Sequence, residues 1–306
     1  MNSLVLASRR LLSVTLQSKV SAGKHLRSIH SVTSGKNGFE VSDTENQGKV
    51  GAKQVKIKML AASLTYQNVL NNVAGTQGVG VVEEIGGKVS SLKKGDHVAV
   101  SHPGTWTRSA VVDSASVVAV PSDIPAEDLT SLIFDTSKAL NILNDAGVKA
   151  GDVLIHNYAN GPLGLPLVQL AKEKGAKVIS ILTKAVDYKG VADSLKAAGS
   201  DVVVDEHFLG TETFKALVSE NKPTVCVSFA NGANLEALEA MKSCAGSGCK
   251  IIDAENVPDS FVPEATSIIK EGKLKQNMSV VDFEQFTFAL PLVETMSVNG
   301  SLVLKM

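Results

Sequence analysis

Between Asp152 and Phe229, and again to Asp253, short β-branched runs alternate with polar windows of helix length, and this alternation constrains the fold most. The runs are Asp152–Ile155, Lys177–Leu182, Asp201–Asp205, Thr224–Phe229 and Lys250–Asp253. Each has strand length and is apolar on both alternating positions, as a strand covered on both faces must be. Helical windows run on to Lys174, over Val191–Ala198 and over Leu235–Met241. Gly199 follows the second window and suits a helix C-terminus, because glycine accepts the positive φ that closes one. Strands alternating with helices of ten to twelve residues form a parallel, doubly wound α/β sheet, with right-handed crossovers that place helices on both faces.

Upstream the period changes. Val55, Ile57 and Met59 alternate with Lys56 and Lys58, the pattern of a half-buried strand. Gly78–Val82, His97–Val100, Val111-Val112 and Val117–Val120 follow, with turns at Gly86-Gly87 and Lys94-Gly95-Asp96 and a stop at Pro121. A compact, mostly β unit is expected over about 53–125. Residues 37–52 are polar and glycine-rich and read as a linker.

The first 36 residues stand apart by charge. They hold Arg9, Arg10, Lys19, Lys24, Arg27 and Lys36 with no acid, eight serines, and leucines at 4, 6, 11, 12 and 16. That composition is expected of a mitochondrial transit peptide ending near residues 30–40, drawn in by the inside-negative potential; a basic tail is the other reading. No apolar run reaches the ~18 residues of a membrane span. The net charge of −1 gives no electrostatic footprint for nucleic acid. Cys226, Cys244 and Cys249 are too few for a disulfide framework and lack zinc-site spacing, so they are expected to be structural thiols, with no metal.

In sheets of this kind ligands bind beyond the carboxyl ends of the strands, first at the turn after the first strand. Here that turn is His156 to Gly164. Asn160, Gly161, Leu163 and Gly164 are the candidates for holding a pyrophosphate, since glycines allow close approach and a helix N-terminus offers N–H donors. Pro162 lacks an N–H, and a plain turn would use the same residues. At the end of the second strand stand Thr183 and Lys184 rather than an acid, which favours NADPH over NAD if a dinucleotide binds. Lys184 alternatively points into water.

Several segments together resemble the medium-chain dehydrogenase/reductase superfamily, and within it the mitochondrial trans-2-enoyl-CoA/ACP reductases. They are Val55–Ala62, Leu92–Val98, Gly104-Thr105-Trp106, Val120–Pro125, the Asn157–Gly164 loop running into Val168–Ala171, and the closing Gly300–Met306. The resemblance covers nearly all of 50–306. It implies a GroES-like β-rich domain from 53–135 with 275–306, and a Rossmann domain over 136–274. It also implies NADPH-dependent reduction of the 2,3 double bond of an enoyl thioester on CoA or acyl carrier protein, in the mitochondrial matrix.

The same comparison exposes departures. The family's proton-donating tyrosine sits in a loop that is here cut to Val69–Ala74, about a dozen residues short, with no tyrosine. Tyr66 lies just upstream and is either a substitute proton donor or a structural residue. Gln77 replaces a glutamate, and Lys138 stands where a small hydroxyl is expected. Ala230-Asn231-Gly232 replaces a Val-Gly-Gly type loop, and a strand and much of a helix are missing after Asp253. Trp106 either lines a substrate channel or fills core. Three readings follow: an active reductase, a non-catalytic subunit with a structural or assembly role in a large mitochondrial complex, and a dinucleotide sensor without turnover.

Overall fold

The computed structural model describes residues 29–36, 38–43, 48–184, 187–229, 239–241, 248–258, 263–296 and 298–306. The expected leader therefore lies mostly outside the described residues, as do Cys244, the Ala230–Gly232 loop and most of the Leu235–Met241 helix.

The alternating half forms the expected parallel sheet. Its strands are β8 (Val153–His156), β9 (Lys177–Leu182), β10 (Val202–Asp205), β11 (Val225–Ser228) and β12 (Lys250–Asp253). They lie in the order β10-β9-β8-β11-β12, every pair parallel. Helices α3 (Gly164–Glu173), α4 (Tyr188–Ala198) and α5 (Glu212–Asn221) connect them. Every residue of β8 and β11 is buried, which is why these strands read as continuous apolar runs. Gly199 closes α4 at φ 116°, the left-handed conformation that its position suggests. After β8 the chain winds outward through β9 and β10, then returns to the other side for β11 and β12. The switch point, where such folds bind ligands, lies between the ends of β8 and β11.

A second large sheet, of seven strands, runs β13-β14-β3-β4-β5-β7, with β6 paired to β3. These are β3 (Gln54–Leu64), β4 (Gln77–Ile85), β5 (His97–Ser101), β6 (Ser109–Asp113), β7 (Val117–Ala119), β13 (Met278–Asp282) and β14 (Ser301–Lys305). The carboxyl-terminal strand β14 enters the sheet antiparallel to β3, after the short helices α6 (Pro263–Lys270) and α7 (Phe286–Glu294).

A long helix joins the two halves. Helix α2 (Ala126–Ala146) starts with Glu127 and Asp128, which complement its amino-terminal dipole, and stops at Gly147 with φ 68°. Its first half packs Leu129, Ile133 and Phe134 on Val79 and Ala99 of the β-rich sheet. Its second half packs Ala139, Leu140, Ile142 and Leu143 into the core around β8 and α3. One helix thus serves both cores.

Two expectations are corrected. Residues divided by sequence between leader and linker fold instead as a hairpin, β1 (Ser31–Gly35) with β2 (Gly38–Ser42). Ile29, Val32 and Phe39 are buried with Trp106 and Phe286, and Val32 N–H donates to Trp106 O at 2.8 Å. The hairpin puts only Val32 of β1 and Phe39 and Val41 of β2 on its inner face, too sparse a signal to stand out in a serine- and glycine-rich stretch. Trp106 fills core rather than lining the cavity between the two halves: it is 0% exposed, its indole N–H donates to Ser63 O at 2.8 Å, and its ring meets Phe39 edgewise and Phe286 at a tilt.

Candidate functional site

A cavity of about 280 Å³ opens between the two halves of the chain. One wall is the segment after β3, with helix α1 (Tyr66–Leu70) and Gln77 at the start of β4. The opposite wall is the sheet's switch point, contributing Tyr158, Pro162, Leu163, Phe229 and Glu255, while Asp135 and Lys138 of α2 form the floor.

Local chemistry sets the first wall. Thr65 caps α1, its hydroxyl accepting Asn68 N–H at 3.2 Å, so Tyr66 emerges at the first helical position. The abbreviated loop that follows is braced by the unexpected hairpin. Asn72 donates to Gly35 O at 2.8 Å, and Ser34 Oγ accepts Ala74 N–H at 3.1 Å. Gly75, at φ 81°, lies so close to the Trp106 ring that a Cβ would fall 2.5 Å from it. Tyr66 lines the cavity, and burial first, then the Glu255 charge, raises its phenol above the ordinary value. It therefore stays protonated.

The second wall carries the loop expected to cradle phosphate, and three of its N–H groups bond to the backbone. Ala159 N–H donates to Ile181 O at 3.0 Å, Gly161 N–H to Tyr158 O at 2.9 Å and Gly164 N–H to Gly161 O at 3.1 Å. Pro162 has none to give. Asn160, a candidate ligand by sequence, clamps the end of β9 instead. Its Nδ2 donates to Thr183 O at 2.9 Å and its Oδ1 accepts Thr183 N–H at 2.8 Å. Gly164 is required by packing, since a Cβ there would sit 1.8 Å from Ala159 O. At Gly161 the Tyr158 ring lies close, and a Cβ there would meet it at 2.5 Å. Leu163 lines the cavity.

Tyr158 and Phe229 close the switch point. Their rings meet edge to face at 6.3 Å. Beneath them Asn157 ties the two loops together, accepting Phe229 N–H at 2.8 Å and donating to Phe229 O at 3.2 Å. Tyr158 holds φ 51°, a conformation uncommon outside glycine, and burial raises its phenol strongly, with Tyr66 and Asp135 adding to the shift.

Lys184 is exposed and is not among the cavity's residues. Its backbone N–H donates to Glu206 Oε1 at 2.9 Å, which puts an acid beside the one cation expected to read a 2′-phosphate. Taken together, Ala159, Gly161 and Gly164 give their N–H groups to backbone partners, the Tyr158 ring lies against Gly161, and Glu206 beside Lys184 opposes a 2′-phosphate while suiting a ribose 2′-OH. Among the described residues no group of three or more His, Cys, Asp or Glu is placed to hold a metal ion.

Sequence reasoning missed Tyr158, Phe229, Asp135, Gln67 and Glu255 as cavity residues. Tyr158 alone carried a signal, as a bulky residue inside a loop that elsewhere favours small ones. The others come from separate elements and meet only through the fold.

No family model matches the chain. Among curated proteins it is similar to mitochondrial enoyl-acyl-carrier-protein reductases. That of Dictyostelium discoideum is 36% identical over 188 residues, 56% of this chain and 54% of that protein. The Bos taurus protein is 28% identical over 243 residues, 74% and 65% of the two. The Arabidopsis thaliana protein is 25% identical over 291 residues, 79% and 77%. The chain thus spans between about half and two thirds of the length of the first two relatives. Among solved structures, Escherichia coli quinone oxidoreductase complexed with NADPH superposes with TM-score 0.76 at 16% identity, covering 91% of this chain and all of that one. Coxiella burnetii quinone oxidoreductase gives 0.72 at 22% identity, covering 91% and 98%.

Proposed function

We propose that this chain, which has the medium-chain dehydrogenase/reductase fold and enoyl-reductase relatives, is a non-reducing member of that line. It keeps the interdomain cleft of an enoyl-thioester reductase-like protein and serves as a structural or assembly subunit of a mitochondrial complex. The observation that carries this reading is the Tyr158 ring lying over Gly161 and against Phe229 at the switch point. An enzyme that places a hydride donor there needs both the space and the free N–H groups of that loop.

Other features agree with it. The cavity, at about 280 Å³, lies at the small end of ligand pockets. Phe288 is 79% exposed and Leu292, one turn along α7, is also exposed, an apolar pair of the kind a subunit buries. Mitochondrial placement, in the matrix, rests on the acid-free cationic start and on relatives named mitochondrial.

Titration of the purified chain with NADPH, followed by nucleotide fluorescence, is expected to show no saturable binding. Crotonyl-CoA is expected to leave NADPH unoxidised, and native gels of mitochondria should place the chain in a large assembly. Rapid, saturable thioester turnover by the isolated chain overturns the proposal.

One observation favours a second reading, NADPH-dependent reduction of 2-enoyl-CoA or acyl-carrier-protein thioesters. Tyr66 presents a protonated phenol to the cleft, as a proton donor must. Under that reading Tyr66→Phe abolishes turnover.

A further inference from the structure

Two oxygens at the boundary between the halves lack a donor. Gln67 Oε1, on α1, and Glu255 Oε1, just past β12, are buried without a hydrogen-bond partner. Both residues line the cavity, and the Gln67 side chain lies within hydrogen-bonding reach of the Glu255 carboxyl. An ionised carboxyl group has only acceptors, whereas a primary amide has one acceptor and an NH₂. Paired with a carboxylate, the amide can satisfy one carboxylate oxygen. The amide oxygen and the other carboxylate oxygen are then left without a donor. A single proton removes the mismatch: the acid O–H donates to the amide oxygen while the amide N–H donates to the acid carbonyl.

We propose that Glu255 is carried as a neutral carboxylic acid and forms a two-hydrogen-bond acid–amide pair with Gln67, a proton-operated latch across the cleft between the two halves of the chain.

Both partners sit on segments held by local hydrogen bonds. The capping interaction of Thr65 fixes the start of α1. Beyond β12, Ala254 N–H donates to Ser228 O at 2.9 Å and Glu255 N–H to Asp253 Oδ1 at 3.0 Å. The electrostatic surroundings favour the proton. Burial foremost raises the Glu255 carboxyl above its ordinary value and Asp253 adds to this, against opposing contributions from Gln67 and from Lys138 of α2. From α1, Tyr66 faces the same carboxyl, and Asp135 and Tyr158 share its cavity. The sign follows. The folded state holds the proton more tightly than the unfolded chain, so the latch is complete below the ordinary carboxylate range and is lost as pH rises through the raised value. The latch holds whether or not the cleft ever binds a dinucleotide.

Difference infrared spectroscopy of the full chain at neutral pH tests this directly. The wild type is expected to show the C=O stretch of a protonated carboxyl group that Glu255→Gln loses. Gln67→Met, which keeps length but removes both hydrogen bonds, is expected to move that band to higher frequency. Where Glu255→Gln folds poorly, Glu255→Asp withdraws the carboxyl by one methylene and should lose the same band. Absence of any protonated-carboxyl band that depends on position 255, or a band indifferent to Gln67→Met, overturns the proposal. Neither result bears on NADPH binding, so it fails or stands independently of the non-reducing reading.

Discussion

His156 makes the parallel sheet acid-sensitive, by an amount that can be worked out from its surroundings. It ends β8, is completely buried, and has one ring nitrogen 2.9 Å from Ser180 Oγ while the other, Nδ1, meets no partner. Burial pushes its pKa from 6.5 down to about 3. The unfolded chain takes up the proton near 6.5 and the folded chain only near 3, so in that window the unfolded state binds more protons and stability falls as pH falls. Each unit costs about 1.4 kcal/mol, hence about 2 kcal/mol at pH 5 and roughly 4 kcal/mol by pH 3, out of a total stability of roughly 5–15 kcal/mol. The perturbation is His156→Leu, which abolishes titration and leaves Ser180 bonded to Ser200 at 2.8 Å. Urea melts at pH 7, 6 and 5 compare the two proteins. Trp106, the single tryptophan, reports the β-rich half by fluorescence, and far-ultraviolet circular dichroism reports both. The wild type is expected to lose about 2 kcal/mol more than the variant between pH 7 and 5. A difference that stays flat within roughly 0.5 kcal/mol refutes a buried neutral His156.

Three further substitutions probe the site's framework. Gly164→Ala sets a methyl group 1.8 Å from Ala159 O and is expected to cost about 1–3 kcal/mol or more in a urea melt, as the phosphate-type loop lifts from α3. Asn160→Ala removes both bonds to the Thr183 backbone and is expected to cost about 1–3 kcal/mol, with faster amide exchange at Thr183. Trp106→Phe leaves the buried Ser63 carbonyl without its donor and opens space beside Phe39 and Phe286. It is expected to lower stability by about 2 kcal/mol while leaving the cavity's residues in place, as nuclear magnetic resonance shifts of Tyr66 would show.

Sequence alone determined the strands whose burial is enforced locally. β8, β9 and β11 are legible because strands covered on both faces are dominated by apolar residues, and the partly exposed β10 and β12 because short β-branched runs continue the same alternation with helices. The end of α4 at Gly199 was readable for a similar reason, one residue meeting one backbone requirement. Resemblance supplied the overall architecture, and through it the place of Gly300–Met306 beside the first long strand. The loop after β8 was identifiable as the place to look for a ligand, because position after the first strand of an alternating unit is itself a topological fact.

Only the tertiary structure decided what that place can do. Asn160 and Gly161 have residue types suited to phosphate, yet the direction of an amide and the room above a glycine depend on Thr183 and Tyr158, which no local pattern couples to them. The hairpin over residues 31–42 was hidden by its polar composition, and its role in bracing the short loop needs contacts about 40 residues apart. Gln67 and Glu255 lie 188 positions apart in the chain and become partners across the cleft only when α2 holds both halves together. Secondary structure follows from short-range periodicity, whereas a site is a meeting of distant side chains, and the packing of whole elements settles which of them meet.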